Sequence, residues 1–352
     1  MTTQRFKRVA LAALAGASAL LGGQLTHATP PPPAIAPTAS WRIEPPLTNS
    51  KEAENISGIA CGPAPAAACV LVSDEQSKGR YLRWASLGEQ RLQPGGILPL
   101  FGDTEGKEAD TEAAAYADGV FYVIGSHGVA KKKGEYQRDR YWLFRFAANA
   151  SRADQVERTN ALEPLLGSLP ELKASACGQT SPPPCQTLQE GGLNVEGLAV
   201  RNAQAWIGLR APLLTGDAVV VKVGADNLFG GSQRSQASLH KVALGEGRGI
   251  RDLANVQDGV LILTGKSTPE AETDSPAQTE TPLPATVVFW RGDAQPTIPI
   301  ATLSPTPTIA KPEALLVLGE DERSWRVLVL GEGTGAIDPQ EFRLPKPGVQ
   351  LR

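Results

Sequence analysis

Methionine occurs once, as the initiator, while the chain carries 36 glycines and 29 prolines, a balance that favours many turns over long helices. Charge of neither sign is in large excess. A formal net charge of −3 excludes nucleic-acid binding driven by bulk charge and gives no case for an anionic membrane as partner. Beyond the first residues no apolar run is long enough to cross a bilayer. The chain has no GxSxG elbow, HExxH helix, Walker loop, EF-hand loop or dinucleotide GxGxxG, and Gly245-Glu246-Gly247-Arg248-Gly249 has the wrong spacing and precedes a strand. With 41% hydrophobic residues over 352 positions, a wholly disordered chain is also excluded.

At the N-terminus, Arg5, Lys7 and Arg8 precede the small, apolar run Val9–Leu21, and Thr26-His27-Ala28 supplies small residues at cleavage spacing. Residues 1–28 therefore read as a signal peptide, and no cysteine follows the apolar run to carry a lipid. The protein is expected to be periplasmic or secreted. Residues 29–40, with TPPPPAIAP at 29–37, read as a stiff tether, and 41–352 as a single domain beginning near Trp41. Ser267 to Pro284 reads as a polar loop between strands.

Export sets the meaning of the only four cysteines. Cys61 with Cys69 and Cys177 with Cys185 bracket short loops rich in Ala, Pro and Ser, and are expected to form two local disulfides. Zinc would need closer pairs or histidine partners, and His127 and His240 are the only histidines after Ala28.

One pattern then recurs: an acid or its substitute, a short apolar run, a turn, an apolar strand, and a polar end. Copies begin at Ser57, Glu112, Glu196, Asp252 and Glu313. The interval is about 55–60 residues except where the second cysteine loop intervenes. Each copy has further strand-like runs, such as Tyr141–Phe146, Ala218–Val223 and Ala285–Trp290. About four short strands per repeat is the arithmetic of an all-β propeller of five four-stranded blades, or six if Asn160–Gly192 hides another. Trp41–Glu44 is expected to supply the last strand of the fifth blade. Tryptophans 84, 142, 206, 290 and 325, one per copy, are expected to pack between blades.

Three segments, Gly125–Phe146, Asn194–Val221 and Gly249–Gly265, resemble the secreted bacterial family known as domain of unknown function 3616. The resemblance runs from about Glu54 to Gly333, is strongest at EGLAV…GLRAP, and implies a propeller with no assigned reaction. The repeated EGLA element is more loosely similar to esterase-like phytases. The chain departs from the acidic pattern at Ser57, and Ala314 follows Glu313 where glycine is expected.

In antiparallel hairpins each blade's leading acid and trailing polar residue share one rim, and radial repetition gathers these around a common mouth. Glu112, Glu196 and Asp252 are the candidate metal ligands, calcium being the expected ion because carboxylates supply hard oxygens. Arg251, Asp252, Lys311 and Glu313 are the candidate ligand-binding residues, and His127, Glu196 and Arg210 the candidate catalytic ones. Asp103–Glu105 and Asp110–Glu112 form an acidic neighbourhood that could add to a metal site. Together these residues are expected to hold a small anionic or metal-bridged ligand, or a partner protein, with the chain acting as a monomer. Two other readings remain open. One is a metal-assisted phosphoesterase in which His127 transfers a proton. The other is a scaffold whose ion pairs seal the channel. Lys131–Gly134 reads either as a basic lip of the mouth or as a solvated hairpin tip.

Overall fold

The recurring motif forms the two innermost strands of each of five sheets. In the computed structural model, which describes residues 31–63, 68–75, 77–102, 106–131, 134–181, 184–230, 236–269 and 283–349, these sheets are the blades of one propeller. Pro32–Arg352 forms one compact unit, and of Met1–Pro31 only Pro31 is described. Residues 1–28, Asp103–Glu105, Lys132, Lys133 and most of the polar loop before Pro284 lie outside the described residues.

The leading strands are Gly58–Cys61, Thr111–Ala117, Asn194–Arg201, Arg248–Val256 and Lys311–Glu320. Each pairs antiparallel with the next strand of its own blade. Each also packs against the leading strand of the following blade, and the fifth packs against the first, which closes the ring. Tight turns set the hairpins. Asp118-Gly119, Asn202-Ala203 and Thr215-Gly216 all have positive φ, the geometry that matches strand twist in two-residue connections.

The core is five clusters, each mixing apolar side chains of two neighbouring blades. Middle strands are therefore buried on both faces, which is why runs such as Ala218–Val221 are continuously apolar. The tryptophans pack as the sequence suggests. Trp84 meets Phe121 edge-on at 5.4 Å, Trp206 meets Trp290 at 5.2 Å, and Phe289 meets Trp325 at 5.3 Å, each across a blade junction. In the third blade Gly197 and Gly208 face Ile250 of the fourth. A Cβ on either would come within 2.8 or 2.6 Å of its Cγ2, so these glycines permit a close approach of the two blades.

Two expectations are corrected at the edges. The N-terminal stretch is not a plain tether, because Ala34–Ile35 adds a parallel edge to the fourth blade. The fourth strand of the fifth blade is Ala39–Ser40 rather than Trp41–Glu44, and Arg42–Ile43 runs parallel to the outer strand of the first blade. Ten residues thus clip three blades, with Trp41 Nε1 donating to Glu341 at 2.9 Å. Among the described residues, no sixth blade lies between Asn160 and Gly192. That stretch contains the helix Leu162–Ser168 and the Cys177–Cys185 disulfide. Cys61–Cys69 joins the first two strands of the first blade. Both bonds suit an oxidising compartment, extracellular or periplasmic. Among the described residues, no helix is long and apolar enough to cross a membrane.

Candidate functional site at the propeller mouth

Strand register defines the site. In four leading strands one residue drops out of the pairing as a bulge: Glu112, Glu196, Arg251 and Glu313. The first blade has no bulge, and Ser57 takes the equivalent place before Gly58. The fourth copy therefore begins one residue earlier than the apolar pattern suggests, with Arg251 rather than Asp252 standing among the rim acids. Counting back from the same pairs, the second strands bring Asp74, Ser126, Arg210, Gly265 and Glu332 to this level. Two residues before each bulge come Asn55, Asp110, Asn194, Gly249 and Lys311.

Each junction between blades thus has its own chemistry. Between the first and second blades all three positions are carboxylates, Asp74, Asp110 and Glu112. One oxygen from each lies within 4.8 Å of the others. Asp110 accepts from Arg140 Nη1 at 2.7 Å, and Arg140 also pairs with Glu108. Asp74 accepts from Asn55 Nδ2 at 2.9 Å. Burial, reinforced by the negative charge of Asp110 and Glu313, pushes the Asp74 carboxyl up to about 8. Burial, with Asp110, Glu196 and Asp74 nearby, likewise raises Glu112 well above the usual range.

The opposite side of the ring carries guanidinium groups. Arg210 Nη1 lies 3.0 Å from one oxygen of Glu196, and Arg251 Nη1 lies 3.1 Å from the other. Arg251 Nη1 also reaches Glu313 at 3.1 Å, so a buried chain of ion pairs ties the third, fourth and fifth blades together. Burial raises Glu313 to about 7, with Arg251 acting against the shift. Lys311 pairs with Glu332 at 2.6 Å within the fifth blade.

Asp252 does not join the carboxylate group. Its two oxygens accept from the backbone N–H of Leu253 at 2.7 Å and of Leu315 at 2.8 Å, which fastens the fourth blade to the fifth. His127 is buried, and burial lowers its imidazole to about 3, so the ring is neutral at physiological pH. It sits edge-on to Tyr141, with ring centroids 5.4 Å apart.

The structure therefore brings Glu112 together with Asp74 and Asp110, and Glu196 together with Arg210, Arg251 and Glu313. It sets Asp252 and His127 apart from both groups in their bonding. Asp74 ends the first copy of the motif and Asp110 lies in the acidic neighbourhood noted above, so both carried a signal. Arg140 carried none, because it belongs to a short turn, Arg138–Tyr141, outside the repeat.

This chain is similar in structure to an exo-β-1,3-galactanase of Phanerochaete chrysosporium, at 10% identity and a TM-score of 0.42, covering 88% of this chain and 63% of that one. A GH43B protein of the Bacteroides ovatus xyloglucan PUL gives 14%, 0.44, 87% and 54%. An exo-β-1,3-galactanase of Clostridium thermocellum gives 10%, 0.45, 88% and 62%. The chain thus spans less than two thirds of the length of these proteins. A search of curated proteins gives no match. The profile of the family described as "Protein of unknown function (DUF3616)" matches residues 73–189 and 186–275, more than half of the chain and across the rim motifs of the second to fourth blades. The chain belongs to that family.

Proposed function

We propose that this protein is an exported binding propeller whose mouth takes a hard divalent cation, calcium by preference, and through it a small anionic ligand. The observation that carries this reading is the convergence of Asp74, Asp110 and Glu112 oxygens within 4.8 Å. The donor set fits the ion. It is all oxygen, and the Glu112 carboxylate has no hydrogen-bond or ion-pair partner among the described residues, while Arg140 bonds directly to Asp110 but to neither Asp74 nor Glu112. Burial first, and the repulsion between the carboxylates second, raises Asp74 and Glu112, and a divalent charge would relieve that repulsion. Arg210 and Arg251, across the ring, supply positive charge toward which an anion held by the cation can orient.

The test is thermal unfolding with calcium and with chelator. Calcium should raise Tm in the parent chain and leave it unchanged in Asp110→Asn, by linkage between binding and folding. An equal rise in both would reject the site. The ion-pair chain from Arg210 through Glu196 and Arg251 to Glu313 favours a second, structural role for that half of the ring, compatible with binding at the other half. Hydrolysis is not part of the proposal, because His127 is a very weak base in its buried position.

A further inference from the structure

Beside the carboxylate group lies a set of buried polar atoms that the cation reading does not use. Both ring nitrogens of His127, the Tyr141 hydroxyl, Asn194 Oδ1 and Arg140 Nε have no hydrogen-bond partner among the described residues. The four residues are 2%, 1%, 8% and 4% exposed, so water at the surface does not satisfy them. Buried polar groups are almost always paired, and several unpaired ones on adjoining residues point to something that pairs them.

The residues that carry these atoms adjoin one another in the fold. His127 N donates to the Arg140 carbonyl, and Ser126 N donates to the Asp110 carbonyl. Val195 N, next to Asn194, donates to the Ser126 carbonyl at 2.7 Å. Tyr136 packs on Tyr141 at 4.6 Å and donates to Glu163 of the disulfide-bearing insertion. Arg140 is the shared wall: its Nη1 holds Asp110 of the carboxylate group while its Nε belongs to the unpaired set.

The inventory identifies the chemistry. A neutral imidazole offers one donor and one acceptor, tyrosine offers both, asparagine Oδ1 only accepts and Arg140 Nε only donates. An anion would be repelled by the acceptors, and a cation by Arg140. Uncharged hydroxyl groups, each donor and acceptor at once, satisfy the whole set. We propose that His127, Arg140, Tyr141 and Asn194 form a recognition pocket for the neutral hydroxyls of a polyhydroxylated ligand, whose anionic end would be held by the cation at Asp74, Asp110 and Glu112. The second half of this statement rests on the proposed function; the pocket itself does not.

The experiment titrates the full chain, with calcium present, with D-gluconate as the hydroxylated acid, D-glucitol as its neutral counterpart and acetate as the bare acid. Calorimetry reads affinity, and ¹⁵N shifts of the histidine side chains read occupancy beside His127. Gluconate and glucitol are both expected to bind and to move the His127 resonances, and acetate to leave them in place. Tyr141→Phe, which removes one hydroxyl and little packing, should weaken both polyols about tenfold and leave calcium binding unchanged. If glucitol binds but calcium does not, the cation reading fails and the pocket stands. If calcium binds but neither polyol moves the His127 resonances, or Tyr141→Phe binds both as the parent does, the pocket holds only water and the proposal is overturned.

Discussion

Glu196 and Arg251 occupy the same bulged position in neighbouring blades and meet at 3.1 Å across the junction between them. Opposite charges at equivalent places turn a repeated structural irregularity into a lock between blades. The same position holds Glu112 in the second blade, next to Asp74 and Asp110, where like charges crowd instead.

Arg251→Met should therefore destabilise the fold strongly, by about 3–5 kcal/mol, because it leaves Glu196 and Glu313 buried with one fewer cation. Denaturant unfolding measures this. Adding Glu196→Gln should recover part of the loss, since the two residues share one interaction and their effects are not additive.

Asp252 makes a different prediction from the rim acids. Asp252→Ala removes the acceptor of two buried amides, those of Leu253 and Leu315, and should cost about 2–3 kcal/mol. Calcium affinity, measured by calorimetry on the folded variant, should stay as in the parent.

The pH dependence of stability has a defined sign. Asp74 is raised from 3.8 to about 8, so between those values the folded state binds the extra proton and stability falls as pH rises. Glu313, raised to about 7, acts in the same direction over the lower part of that range. His127, lowered from 6.5 to about 3, acts oppositely: its contribution is present above pH 6.5 and is lost as pH falls toward 3. From pH 6.5 to 8 the carboxylates act alone. In chelator, unfolding free energy should fall across this window by on the order of 1 kcal/mol, and Asp74→Asn should flatten the slope.

The N-terminal clip can be cut without touching the mouth. Deleting residues 1–40 removes Ala34–Ile35 and Ala39–Ser40, exposing the outer edges of the fourth and fifth blades. The truncated chain should unfold at lower denaturant and exchange amide protons faster along Ile298–Leu303 and Gln340–Pro345.

Much of this architecture was legible because a propeller repeats its burial: every second strand is apolar on both faces, so the motif returns at a steady interval. The cysteine pairs were legible from spacing and compartment. What the sequence concealed depends on single-residue register. The apolar run Leu253-Ala254 aligns as well with Asp252 leading as with Arg251, and only hydrogen-bond pairing shows that Arg251 is the bulged residue. The N-terminal clip was hidden because two-residue strands rich in Ala and Ser carry no period. The unpaired set around His127 joins residues from a hairpin end, a turn and the next blade, which no local pattern connects.

Calorimetric titration of the parent chain and of Glu112→Gln with calcium tests the cation site most directly. The account predicts saturable binding by the parent, loss of that binding in Glu112→Gln, and a Glu112→Gln chain that is at least as stable as the parent in chelator, because one crowded carboxylate is gone. Equal calcium binding by both chains, or none by the parent, would contradict it.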